Sequence, residues 1–168
     1  MGEFESKKKE LLSPIFLEAG AALYDCQTFE YGISYLLYLL ARLGVEGLDP
    51  NRLTRILDNE EKKTAGQLID MLKKHVQVSD SIEDSLAEAL RARNKLIHRY
   101  LVENAERFLD RGERRNIVTE IRALRSKVRG SFNELDPFVQ CLVEQIDGLN
   151  INAVSSQVKE QFLKDSYS

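Results

Sequence analysis

The chain has 168 residues, 43% of them apolar, which suits one domain with a substantial core. It has no apolar run of about 18 residues and only two cysteines, so neither a membrane-spanning helix nor a disulfide framework is expected. The net charge of −3 would disfavour a polyanionic partner if it were evenly spread, but residues 91–129 hold twelve Lys/Arg against five Asp/Glu.

That segment is +7, which leaves −10 for the remainder, so positive charge concentrates in one region as a phosphate-binding surface requires. The competing reading is a solvated helix face carrying pairs such as Glu103–Arg107. At the start, Met1 to Lys9 is charged and no apolar stretch follows, so a cytoplasmic chain without a secretory leader is expected. Ser13-Pro14 reads as a helix start, an N-cap serine followed by proline at the first helical position. The helix is predicted to run through Leu43 and stop at Gly44. Its apolar stripe is Phe16, Leu23, Cys26, Ile33, Leu37 and Leu40, interrupted by Glu30.

Asp49-Pro50 starts a short helix over 50–58, and Thr64 caps another over 65–76 with Leu68, Met71, Leu72 and Val76 on its apolar side. His75, near the end of that helix, is expected to be exposed or to compensate the helix dipole. Ser79-Asp80 opens a long helix carrying Ile82, Leu86, Ala89, Leu96 and Tyr100. A further turn or two follows over 103–109, and Asp110-Arg111-Gly112 breaks it. The next stripe is Ile117, Ile121, Leu124, Val128, Phe132 and Leu135, after which Asp136-Pro137 kinks or restarts the helix through Ile146. Cys26 and Cys141 both fall on stripes and are expected to be buried thiols. No strand pattern occurs. The expectation is an all-α, up-and-down helical bundle of four long helices plus one or two short ones, one domain over 1–149 with a polar tail over 150–168.

Within the Ser79 helix, the stripe position after Ala89 is 93, and it holds an arginine. A charge at a core-facing position is costly unless it is paired or given a task. Glu30 is the matching acid on the first helix, which suggests a Glu30–Arg93 pair across the bundle. The alternative is that Glu30 sits at the stripe's edge and reaches water. Asn94 and His98 stack one turn apart, whereas Arg93 lies roughly 140° around the helix from His98. The arginine must swing to meet the histidine, or the same helix of a second subunit must complete the site.

Arg93, four residues, His98, with Asn94 after the arginine and Tyr100 two after the histidine, resembles the signature of the HEPN superfamily. These are small helical-bundle domains, many of them metal-independent ribonucleases. The arginine, four residues, histidine, one residue, tyrosine pattern of the toxin in minimal nucleotidyltransferase/HEPN pairs matches at 93, 98 and 100. The likeness in helix pattern extends loosely over 14–148. It implies a homodimeric endoribonuclease, toxin-like or defence-related, with a cognate antitoxin protein as partner and Tyr100 as a target for nucleotide modification.

The residues suit that chemistry. An imidazole with pKa near ~6.5 can take the proton of a 2′-hydroxyl, a transfer worth about 10²–10⁴-fold. Arginine stays charged and grips two phosphate oxygens. Asn94 would orient the histidine or the phosphate, while Arg91, Lys95 and Arg99 would hold the RNA or nucleotide backbone without reading sequence. No Gly-rich phosphate loop, HExxH or acidic metal cluster occurs, so no cofactor is expected. The runner-up is a non-catalytic domain of the same shape that binds nucleotide, RNA or a protein through the same groove. In that case Arg93 fixes helix register, His98 is hydrogen-bonded and Tyr100 is packing.

Overall fold

The computed structural model describes residues 3–147, all of them helix, turn or loop and none of them strand. Three helices are long: α1 (Glu3–Arg42), α4 (Asp80–His98) and α6 (Glu113–Asp147). Shorter ones are α2 (Pro50–Leu57), α3 (Ala65–His75) and α5 (Tyr100–Glu103), and a 3₁₀ turn spans Ala105–Leu109. None of the described helices is long and apolar enough to cross a membrane.

Local chemistry sets most of the boundaries. Asp49 caps α2 through Asn51 N–H, with Pro50 at the first helical position. Thr64 and Gln67 form a reciprocal capping box at α3, and the Ser79 hydroxyl accepts from Ile82 N–H at α4. Gly44, at φ +83°, ends α1: its N–H bonds to Ala41 and that of Val45 to Leu40. This paired closure needs a left-handed residue.

Of the two prolines inside long helices, Pro14 behaves differently from expectation. Helix α1 does not start at Ser13 but reaches back to Glu3, carrying the exposed Pro14 inside it. Leu12, packed on the smaller core cluster, anchors the turn before the proline, and the Glu, Lys and Leu residues upstream are good helix formers. Of the two outcomes open at Pro137, a kink or a restart, α6 does not restart but runs on as one helix, so the described residues hold three long helices where four were expected. The tail predicted from 150 lies outside the described residues.

The buried face of α1 departs from the expected stripe only in its first part, since Cys26, Ile33 and Leu37 are buried as expected. Phe16 and Leu23 are exposed, whereas Ile15, Glu18, Ala22, Cys26, Phe29 and Ile33 face inward. What makes that phase viable is the treatment of Glu18, whose carboxylate is 2.7 Å from Arg122 and 2.5 Å from Arg125. Those guanidiniums, chiefly Arg122, hold its pKa below the usual value against the opposing effect of burial. Arg125 also takes Asp25 at 2.7 Å. Cys26 is buried and its thiol is pushed up to about 11 by desolvation, while Cys141 is exposed, contrary to expectation. On α6 the inward positions are Leu135 and Val143, and Cys141 falls between them on the outer side.

Contacts along the bundle fix its directions. Glu18 meets Arg122, Gly32 meets Phe132, and Leu36 shares a pocket with Leu135, so α1 and α6 run the same way. Helix α4 runs against both, with Arg93 at Glu30 and Glu88 near Lys127. At Gly32 the helices approach so closely that a Cβ would overlap the Phe132 ring. Gly32→Ala should therefore lower unfolding stability in urea by roughly 1–3 kcal/mol, despite alanine's better helix propensity. An unchanged midpoint would show that the ring moves aside freely.

Candidate functional site

The motif lies at the end of α4. Arg93 lies about 100° around the helix from the buried Ala92, at the edge of the core face, with 16% of its side chain exposed. Its Nε donates to Glu30 Oε1 on α1 at 2.5 Å, so the two charged intruders meet. The terminal nitrogen NH1 donates to Asn94 Oδ1 at 3.0 Å and lies 3.0 Å from His98 Nε2. The arginine thus swings to the histidine within one chain. Because guanidinium only donates, His98 Nε2 is the acceptor and the imidazole hydrogen sits on Nδ1. Three of the five Arg93 N–H groups are engaged, and the second terminal nitrogen finds no hydrogen-bond acceptor among the described residues.

These groups open onto a cleft of about 820 Å³. Arg91, Lys95 and Arg99 line it together with Arg93, Asn94 and His98, so every basic residue expected at the site is there. Lys95 has a second contact, its ammonium lying 5.8 Å from the centre of the Tyr100 ring. Elsewhere four of the eight basic residues of the segment meet carboxylates. Arg107 pairs with Glu113 and Glu120 rather than with Glu103, Arg122 and Arg125 take Glu18, and Lys127 sits near Glu88. Around the cleft, Arg91, Lys95 and Arg99 outnumber the one acid in its lining, Glu103.

Tyr100 stands apart. The helix breaks at Arg99, whose φ of −133° and ψ of −42° leave the helical range, and Tyr100 begins α5 turned into the core at 1% exposure. Its hydroxyl donates to Glu120 Oε2 at 2.6 Å, and the same carboxylate is gripped by Arg107 at 2.8 and 3.1 Å. Arg107 and the tyrosine hydrogen bond hold the Glu120 carboxyl down at about 2, while burial and the neighbouring Glu120 drive the phenol well above its usual range. His75, the second histidine, is remote from the cleft, with Nδ1 3.1 Å from the Glu46 carbonyl.

No family model, curated protein or solved structure matches the chain. The chemistry of the cleft therefore rests on its own residues. Among the described residues no group of three or more His, Cys, Asp and Glu is placed to hold a metal ion. Thr64, Ala65 and Gly66, at the start of α3, form the opposite wall of the cleft and were not anticipated from sequence. Their only local signal is the capping box, which marks a helix start but not what the start faces.

Proposed function

We propose that the chain is a HEPN-type endoribonuclease that cleaves RNA without a metal ion, with His98 and Arg93 as its catalytic residues. The observation carrying this reading is the convergence of Arg93, Asn94 and His98 in one open, basic cleft, with Glu30 steadying the arginine from α1. In the reaction the 2′-oxygen attacks the adjacent phosphorus while His98 Nε2 takes its proton. The bond from phosphorus to the 5′-oxygen breaks, leaving a 2′,3′-cyclic phosphate and a 5′-hydroxyl. The lone pair needed for that step faces Arg93, so the guanidinium must turn its N–H groups to the phosphate as substrate enters. There they stabilise charge that grows in the transition state.

In-line attack puts the entering and leaving oxygens on opposite sides of phosphorus, and one imidazole reaches only one of them. A homodimer that brings two motif helices together supplies the second, and this favours a two-chain site within an up-and-down bundle. A cytoplasmic, toxin-like role with an antitoxin partner accords with such an activity. Nucleotide modification of Tyr100, however, would first require α5 to open, because its hydroxyl is enclosed by Glu120.

The deciding experiment is RNA cleavage in EDTA by the wild-type chain and His98→Ala, with circular dichroism confirming that both are folded. Cleavage by the wild type and a loss of at least about 10²-fold in the variant are expected. Equal cleavage by both, or none by the wild type across several RNAs, would overturn the proposal in favour of a binding module.

A further inference from the structure

A second pocket, of about 540 Å³, adjoins the cleft. The two share a wall: Glu30 lines the pocket, its partner Arg93 lines the cleft, and the consecutive residues Lys63 and Thr64 line one each. One guanidinium therefore spans the divide, with Nε toward the pocket's Glu30 and NH1 toward His98. The volume is in the range of small-ligand sites, typically about 300–1,000 Å³.

Its lining suits a flat, polar-edged ring. Ile56 and Leu68 are buried and apolar. Tyr31 is 57% exposed, yet it is held in place by parallel stacking on Tyr35, the ring centres 6.3 Å apart and the planes 9° from parallel. A ring already ordered in this way loses little freedom when something stacks on it. Gln27 and Asn59 bring amides, each able to donate and accept, and Asn59 is fixed at φ +61° at the end of α2.

The charges favour an anion-bearing ligand. Glu30 is engaged by Arg93, and Glu61 is gripped by Arg52 at 2.8 Å and by Lys63 at 3.3 Å. Lys62, at the pocket's lining, is exposed and has no carboxylate partner among the described residues.

We propose that this pocket is a nucleobase subsite: a base of single-stranded RNA next to the scissile phosphate stacks on Tyr31, its edge meets Gln27 and Asn59, and Lys62 meets the flanking phosphate. The assignment of the scissile phosphate rests on the ribonuclease reading, but the binding itself does not. A base on an aromatic platform is worth about 1–3 kcal/mol, or about 5- to 150-fold in affinity.

The test uses a 5′-fluorescein-labelled ten-residue single-stranded RNA, followed by fluorescence anisotropy in EDTA, with the full chain carrying His98→Ala so that the probe stays intact. Adding Tyr31→Ala should raise Kd about tenfold or more, whereas Tyr31→Phe should stay within about twofold, since the ring does the stacking. Lys62→Ala should weaken binding and flatten its salt dependence. Tyr31→Ala should lower the thermal midpoint by no more than the few degrees that one lost aromatic pair costs, and Tyr31→Phe not at all, which separates a binding role from a structural one. A Tyr31→Ala Kd equal to the parent's, or a parent that does not bind the probe, would overturn the subsite. The two proposals fail separately. Cleavage by the wild type with no effect of Tyr31→Ala on affinity removes the subsite alone. Weakened binding by Tyr31→Ala, in a chain whose wild type does not cleave, removes the nuclease alone.

Discussion

Exchanging Arg93 for lysine is expected to slow the proposed RNA cleavage by about 10²–10³-fold, the usual cost of losing one well-placed donor to transition-state charge. Lysine keeps the charge, but its ammonium cannot hold Glu30, Asn94 and a phosphate at once, as the arginine's separated nitrogens can. Arg93→Ala should add a stability loss. The Glu30 side chain, 28% exposed, would lose its cation, and the loss should fall between the ~1 kcal/mol of exposed pairs and the ~3–5 kcal/mol of fully buried ones. A double-mutant cycle with Glu30→Gln separates the roles. If Glu30 only positions the arginine, adding Glu30→Gln to Arg93→Lys should slow cleavage little further. A strictly additive loss would make Glu30 an independent participant.

Tyr100→Ala should reduce unfolding stability by about 3–5 kcal/mol, the range for truncating a fully buried aromatic. The ring is the centre of the smaller core cluster, packed with Ile15, Ala22, Ile117 and Ile121. Tyr100→Phe keeps the ring and should cost only about 1 kcal/mol, because Glu120 still holds Arg107 when the hydroxyl is gone. The Glu120 carboxyl sits at about 2 in the folded chain against 4.5 ordinarily. Its stabilising contribution is therefore complete above pH 4.5 and fades as pH falls toward 2. Glu120→Gln should remove that part of the acid sensitivity. An acid-unfolding curve unchanged by Glu120→Gln would count against the Tyr100–Glu120–Arg107 cluster as its source.

What could be read from the sequence was what local chemistry determines. Asp49-Pro50, Thr64 with Gln67, Ser79 and Gly44 each satisfy or end a helix with their own atoms, and the structure places boundaries at all of them. From Cys26 onward the buried face of α1 was legible, but its first part was not, because the stripes through Phe16 and Leu23 and through Ile15 and Ala22, one residue apart, both look apolar. The one that is buried contains Glu18, and its arginine partners lie over 100 residues away. The break at Arg99 was hidden for a related reason. The apolar spacing from Leu96 to Tyr100 continues unbroken, while the interactions that turn the tyrosine inward come from Glu120 and the cluster around Ile117. At the site, the Glu30–Arg93 pair could be inferred because both charges interrupt apolar stripes. The adjoining pocket could not, since α1, α2 and the loop before α3 must come together to form it.

The acids of α1 have a consequence for the order in which the molecule comes into being. Glu18, Asp25 and Glu30 leave the ribosome before their arginines, which follow 104 and 107, 100 and 63 residues later. At about 5–20 residues per second, these carboxylates wait seconds for a partner, and contacts of such long sequence separation form late in folding. The cleft cannot assemble before α4 has emerged. A chain whose synthesis stops before residue 93 carries neither His98 nor Arg93, so the proposed RNA-cutting activity would be withheld until both have been made.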